Sequence, residues 1–139
     1  VPRSRIWAMF CSRFARAAIG KSGAAGVRAV CADYRAFAKE HPGLYAAIQR
    51  APAQDDAALI AASGEIIAIL RAVLEPWRLD DAQAIHAIRM IRSLIHGFVS
   101  LEAAGGFGIP LDLEQSYDYA ITVFIDGLER EAAQRDLTP

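Results

Sequence analysis

Between residues 85 and 101 the chain places Ile85, Ile88, Met90, Ile91, Leu94, Ile95, Phe98, Val99 and Leu101 within seventeen positions. At 100° per residue these cover well over half the circumference of a helix, and a helix apolar nearly all round must be buried nearly all round. A second segment adds a stripe of Tyr117, Ile121, Phe124, Ile125 and Leu128, with Tyr119 and Val123 on another side. Two such helices either occupy the centre of a bundle or divide their faces between their own domain and a two-fold partner. Gly97, Ser100 and Ala104 recur at i, i+3 and i+7 and let another helix approach closely. That helix is either the sixth of the same chain or one from a second copy.

Breakers divide the remainder into helices. Alanine occurs 28 times in 139 residues and has the highest helix propensity. The first segment, about Ser4 to Ile19, carries Ile6, Trp7, Phe10, Phe14 and Ala17 on one stripe. Gly20-Lys-Ser-Gly23 ends it, with Ser22 as the expected cap of a second helix, Gly23 to Glu40, whose inner positions are Val27, Val30, Tyr34 and Phe37. Pro42 suits the first turn of a short third helix, His41 to Arg50, where its missing N–H costs nothing. Asp55 or Asp56 caps a fourth that runs to Leu74 and contains Gly64, a candidate bend or close approach. Asp80 with Gln83 reads as a capping box for the fifth, ending at Ala103. Asp112 with Gln115 opens the sixth, Leu113 to about Gln134. No alternating β-pattern competes, so the expected fold is all-α, with about six helices in one bundle.

A net charge of −1 argues against a nucleic-acid surface on this portion of the chain. Cys11 and Cys31 have no metal-ligand spacing and read as buried, reduced thiols. No run of about 18 consecutive apolar residues and no cleavable signal pattern is found, so neither a membrane partner nor export is expected. Enzyme motifs are also missing: no paired Glu-x-x-His, no His-Glu-x-x-His, no Gly-x-Ser-x-Gly and no phosphate loop. The expectation is a cytoplasmic protein with no catalytic residues, no metal and no cofactor.

Tyr34-Arg-Ala-Phe37 leading into His41-Pro-Gly-Leu-Tyr45, followed by Arg92 to Pro110, resembles the C-terminal half of TetR-type transcriptional regulators. Ile95-His96-Gly97 resembles the hydrophobic-His-Gly signature of one of its subgroups. The resemblance implies a ligand-binding and dimerisation domain over residues 21–139. Residues 1–20 are the implied remnant of a helix connecting it to a helix-turn-helix head, which lies outside this chain. It also implies a homodimer, a small partly apolar effector, operator DNA bound through that head, and action as a repressor. Because the last two helices of such regulators form a four-helix dimer interface, Ile95, His96, Gly97, Ser100, Ala104, Tyr117, Ile121, Phe124 and Leu128 are the expected interface residues. A ligand-independent helical interaction module is the alternative.

The aromatics of the first three helices converge if those helices pack together. Phe10, Phe14, Tyr34, Phe37 and Tyr45 are therefore the expected lining of an effector pocket, with Ile66, Leu70 and Met90 as its opposite wall. The two tyrosines stand out because a buried phenol seeks a hydrogen-bond partner. His96 is read as structural before ligand-binding, and His86 as exposed. Arg89 and Arg92 suit an anionic ligand, although an ion pair is the commoner use of such residues. Glu102 is left with two candidate partners, the glycine-turn N–H groups or a group across the dimer.

Overall fold

The computed structural model describes residues 1–138. In order, the helices are α1 (Arg3–Ala18), α2 (Gly23–Glu40), α3 (Pro42–Ala47), α4 (Ala57–Leu74), a single 3-10 turn (Glu75–Trp77), α5 (Asp81–Ala103) and α6 (Leu113–Asp136). α3 stops after six residues, three short of the expected Arg50. α6 runs two residues beyond Gln134, and among the described residues there is no strand.

The ends follow local chemistry. Asp80 accepts from Gln83 N at 2.8 Å while Gln83 Oε1 accepts from Asp80 N at 3.1 Å, closing the expected capping box of α5. Asp56, not Asp55, caps α4 by accepting from Leu59 N at 3.0 Å. Asp112 caps α6 through Glu114 N at 2.8 Å, with no part for Gln115. Ser22 occupies the cap position of α2 but its side chain makes no capping bond. α5 terminates in a Schellman turn: Gly106 N donates to Leu101 O and Gly105 N to Glu102 O. Gly105 sits at φ +68°, where a side chain is strained.

α1 and α2 lie across one side of the bundle, with α4 packed along α1 and α5 and α6 behind α2. Ile6, Trp7, Phe10, Cys11 and Phe14 of α1 enter the same core as Val27, Val30, Tyr34 and Phe37 of α2. The first twenty residues thus share one hydrophobic interior with the rest. α2 comes closest to α4 at Gly26, where an added Cβ would stand 3.0 Å from Val73 Cγ1. Gly64 needs no such explanation: it faces open space, and no neighbour approaches it.

α4 is the most apolar of the helices by composition. By length and composition Ala57–Trp77 is apolar enough to cross a membrane, with a mean hydropathy of 2.0 over an 18-residue window. Glu65 and Arg71 interrupt it, which is why no unbroken apolar run of that length is found. Leu59, Ile66, Val73 and Leu74 face the core, while Ile60 and Ile67 are exposed.

Candidate functional site

A cavity of about 310 Å³ opens inside the bundle. Its floor and sides are apolar: Trp7, Phe10 and Phe14 from α1, Val27, Val30 and Tyr34 from α2, Ile66 and Leu70 from α4, and Ile88, Ile91 and Ile95 from α5. Its exposed liners are Ile67 on α4 and Arg89 and Arg92 on α5, so its open side lies between these two helices. Such a volume lies at the lower end of the range that holds small organic ligands.

The polar groups around it are few. Trp7 is buried and its indole N–H has no acceptor. An orphaned buried donor is uncommon and stands out against the packing around it. Cys31 also lines the cavity, and burial pushes its thiol up to about 12, so it stays a neutral thiol near pH 7. Cys11 is free as well, pushed up to about 11 mainly by burial, and donates to Ala62 O.

Five of the eight residues expected to line the pocket do so: Phe10, Phe14, Tyr34, Ile66 and Leu70. Three do not. Phe37 is fully buried against Phe10, ring centroids 5.0 Å apart, and fills the core behind the wall. Tyr45 packs edge-on against Tyr34 and turns its hydroxyl to His96 Nδ1 at 2.6 Å. Met90 is 57% exposed, because it lies on the opposite side of α5 from Ile88, Ile91 and Ile95.

That opposite side forms a second feature. Met90, Gly97, Ser100, Leu101 and Ala104 are exposed on α5, and Tyr119, Val123 and Gly127 on α6. A shallow groove of about 590 Å³ runs between the two helices, past His86, Met90, Val123 and Gly127. An added Cβ at Gly97 or Gly127 would meet nothing within 4 Å. Of the nine residues expected at a dimer interface, Gly97, Ser100 and Ala104 lie on this outer face, while His96, though exposed, sits at its flank and bonds to Tyr45. Ile95, Tyr117, Ile121, Phe124 and Leu128 do not: all are at most 7% exposed within the protomer's own core. Their stripe is the one that seats α5 and α6 on the bundle, and Tyr117 confirms its inward direction by donating to Cys31 O at 2.6 Å.

Both helices are held in place by Arg35 of α2. This buried guanidinium forms a forked pair with Glu102 at 3.0 and 2.7 Å and reaches Glu114 at 2.8 Å. It also lies over the rings of Phe98 and Tyr117. Glu102 therefore turns to its own chain, away from both partners considered for it, and Arg35 holds its carboxyl below the usual range.

Residues 27–124, well over half of the chain, match the family described as tetracyclin repressor-like, C-terminal domain. The chain belongs to that family. Two curated relatives of this TetR-type domain agree. One is an uncharacterized HTH-type transcriptional regulator, Rv0681, of Mycobacterium tuberculosis (strain ATCC 25618 / H37Rv), 33% identical over 83% of this chain and 53% of its own length. The other is the uncharacterized HTH-type transcriptional regulator YobS of Bacillus subtilis (strain 168), 30% identical over 78% of this chain and 56% of its own. The chain spans about half the length of these relatives. As in the all-helical expectation, the described residues of this TetR-type domain form a bundle of six helices, and both relatives are named as transcriptional regulators.

Proposed function

We propose that this chain is the effector-sensing and dimerisation part of a cytoplasmic DNA-binding repressor that a small, partly apolar molecule releases from its operator. The observation that supports it most is the apolar cavity of about 310 Å³ with an unpaired indole N–H on its wall. Ordinary cores are close-packed, and a space of this size lined by three aromatic rings of α1 is better explained by an occupant. In the whole protein, residues 1–20 would continue toward a helix-turn-helix head. An effector that binds the non-operator geometry better than the operator geometry shifts the population away from DNA. α1 is suited to transmit this, since Trp7, Phe10 and Phe14 touch the cavity directly.

Dimerisation belongs to the outer face of α5 and α6, with Met90, Gly97, Tyr119, Val123 and Gly127 taking the place of the five buried residues. Small residues there permit close helix approach in a four-helix arrangement.

The test is thermal melting against a panel of small apolar molecules, with Leu70→Trp as a variant that fills the space. A ligand at 100 times its Kd stabilises by about 2.7 kcal/mol. The expected result is a stabilising hit that Leu70→Trp abolishes. A panel without any shift favours the rival, a helical interaction module that needs no ligand.

A further inference from the structure

We infer that the occupant of the cavity is an amphiphile with one anionic head, a carboxylate, held at the mouth by Arg89 and Arg92. The inference rests on the reading of the cavity as a ligand site and adds the chemistry of the ligand.

The two arginines stand one turn apart on α5 and both line the opening. Several of the chain's inter-helix arginines pair with acids, while Arg3 and Arg135 bond only backbone carbonyls. Arg13 meets Asp33 and Glu40, Arg28 meets Asp118, Arg35 meets Glu102 and Glu114, and Arg71 meets Asp81. Among the described residues, neither Arg89 nor Arg92 has a carboxylate oxygen within 4.0 Å. Arg92 donates only to the backbone carbonyl of Gln49 at 3.0 Å. No Asp or Glu lines the cavity at all. Two positive charges thus flank the entrance to an apolar chamber with nothing of opposite sign to answer them.

A neutral ligand leaves that repulsion in place, and an amine worsens it. A carboxylate relieves it and matches the planar fork of a guanidinium with two parallel hydrogen bonds. Behind the head, Ile85, Ile88 and Leu70 lead to the aromatic wall, which calls for a body of hydrocarbon.

Decanoate, decanol and decylamine share a body and differ in the head. Binding is read by thermal shift and, with 10-bromodecanoate, by quenching of Trp7, which lines the cavity whereas Trp77 does not. Trp7→Phe identifies the quenched ring. Decanoate is expected to bind about tenfold or more tighter than decanol, as a charge-assisted hydrogen bond allows, with decylamine weakest. Salt should erode the decanoate affinity and leave that of decanol unchanged. Arg89→Gln with Arg92→Gln should remove the preference for the acid while decanol still binds. Arg130→Gln, a single loss of charge on α6 away from the cavity, should leave the preference intact.

Decanol binding as tightly as decanoate overturns the inference and leaves the cavity reading standing. A preference for decanoate that survives loss of both arginines overturns their assignment. If none of the three ligands shifts the melt or quenches Trp7, the cavity reading falls and the inference with it.

Discussion

The two sides of α5 are built from different materials. Toward the bundle it presents Ile88, Ile91, Ile95 and Val99, all buried and all branched at Cβ. Away from it stand Met90, Gly97, Ser100 and Ala104, a line of mostly small residues ending beside the Schellman turn. Branched side chains fill space between helices that are already there. Small ones leave room for a second backbone, as the proposed dimer requires. Gly26 shows what a small residue means when its reason lies within the protomer, because Val73 presses against it. Gly97 and Gly127, like Gly64, have no such neighbour within the protomer; what sets them apart is their place along the outer face proposed for the dimer.

The comparison is broken most readily from the inside. Phe37→Ala removes a ring with no exposed surface and is expected to cost about 3–5 kcal/mol in urea unfolding. A cost under about 1 kcal/mol would mean that the interior is less tightly packed than its aromatic contacts indicate. Arg35→Leu should cost about 3 kcal/mol, since it leaves the half-buried Glu102 with only the exposed Lys39 at 3.4 Å. The pH dependence has a definite sign. Glu102 titrates below its ordinary value when folded, so the pair contributes fully above the unfolded glutamate value of about 4.3 and loses its contribution as pH falls below it. Acid melts of the wild type should therefore fall more steeply than those of Arg35→Leu.

The next two substitutions set one glycine against another. Gly26→Ala should destabilise by about 1–2 kcal/mol through overpacking against Val73. Gly97→Ala should leave the protomer as stable or up to about 1 kcal/mol more stable, because alanine favours helix and nothing obstructs its Cβ. Its larger relative, Gly97→Arg, should keep the melt of the dilute protomer while light scattering shows loss of the dimer. If both glycines behave alike, the two faces are not distinct in the way described. The smallest effect is expected from Tyr117→Phe, about 1 kcal/mol for the lost bond to Cys31 O.

Helix boundaries were legible because breakers are local. Pro42, Pro76 and the glycines at 105 and 106 act through their own backbone, and the Asp80–Gln83 pair closes within a single turn. The faces of α5 were harder to read. A helix apolar all round carries no phase in its pattern, so Met90 was assigned to the cavity and Ile95 to a partner when each faces the other way. On α6 the most regular stripe, Tyr117 to Leu128, was given to the dimer, although a regular bulky stripe is what a helix offers to its own core. Phe10, Phe14 and Tyr34 were found because α1 and α2 are amphipathic and their inner sides are unambiguous. Trp7 and Val30 share those stripes and belonged with them. The isolation of Arg89 and Arg92 was beyond reach, because whether a charge has a partner depends on residues distant in the chain.

Tyr34 and Arg35 are consecutive in α2. The first touches the chamber, and the second grips Glu102 at the end of α5 and Glu114 at the start of α6. A rigid rod cannot move one without the other. A displacement of the α2 backbone at Tyr34 carries Arg35 with it, and so reaches the two carboxylates that tie the end of α5 to the start of α6.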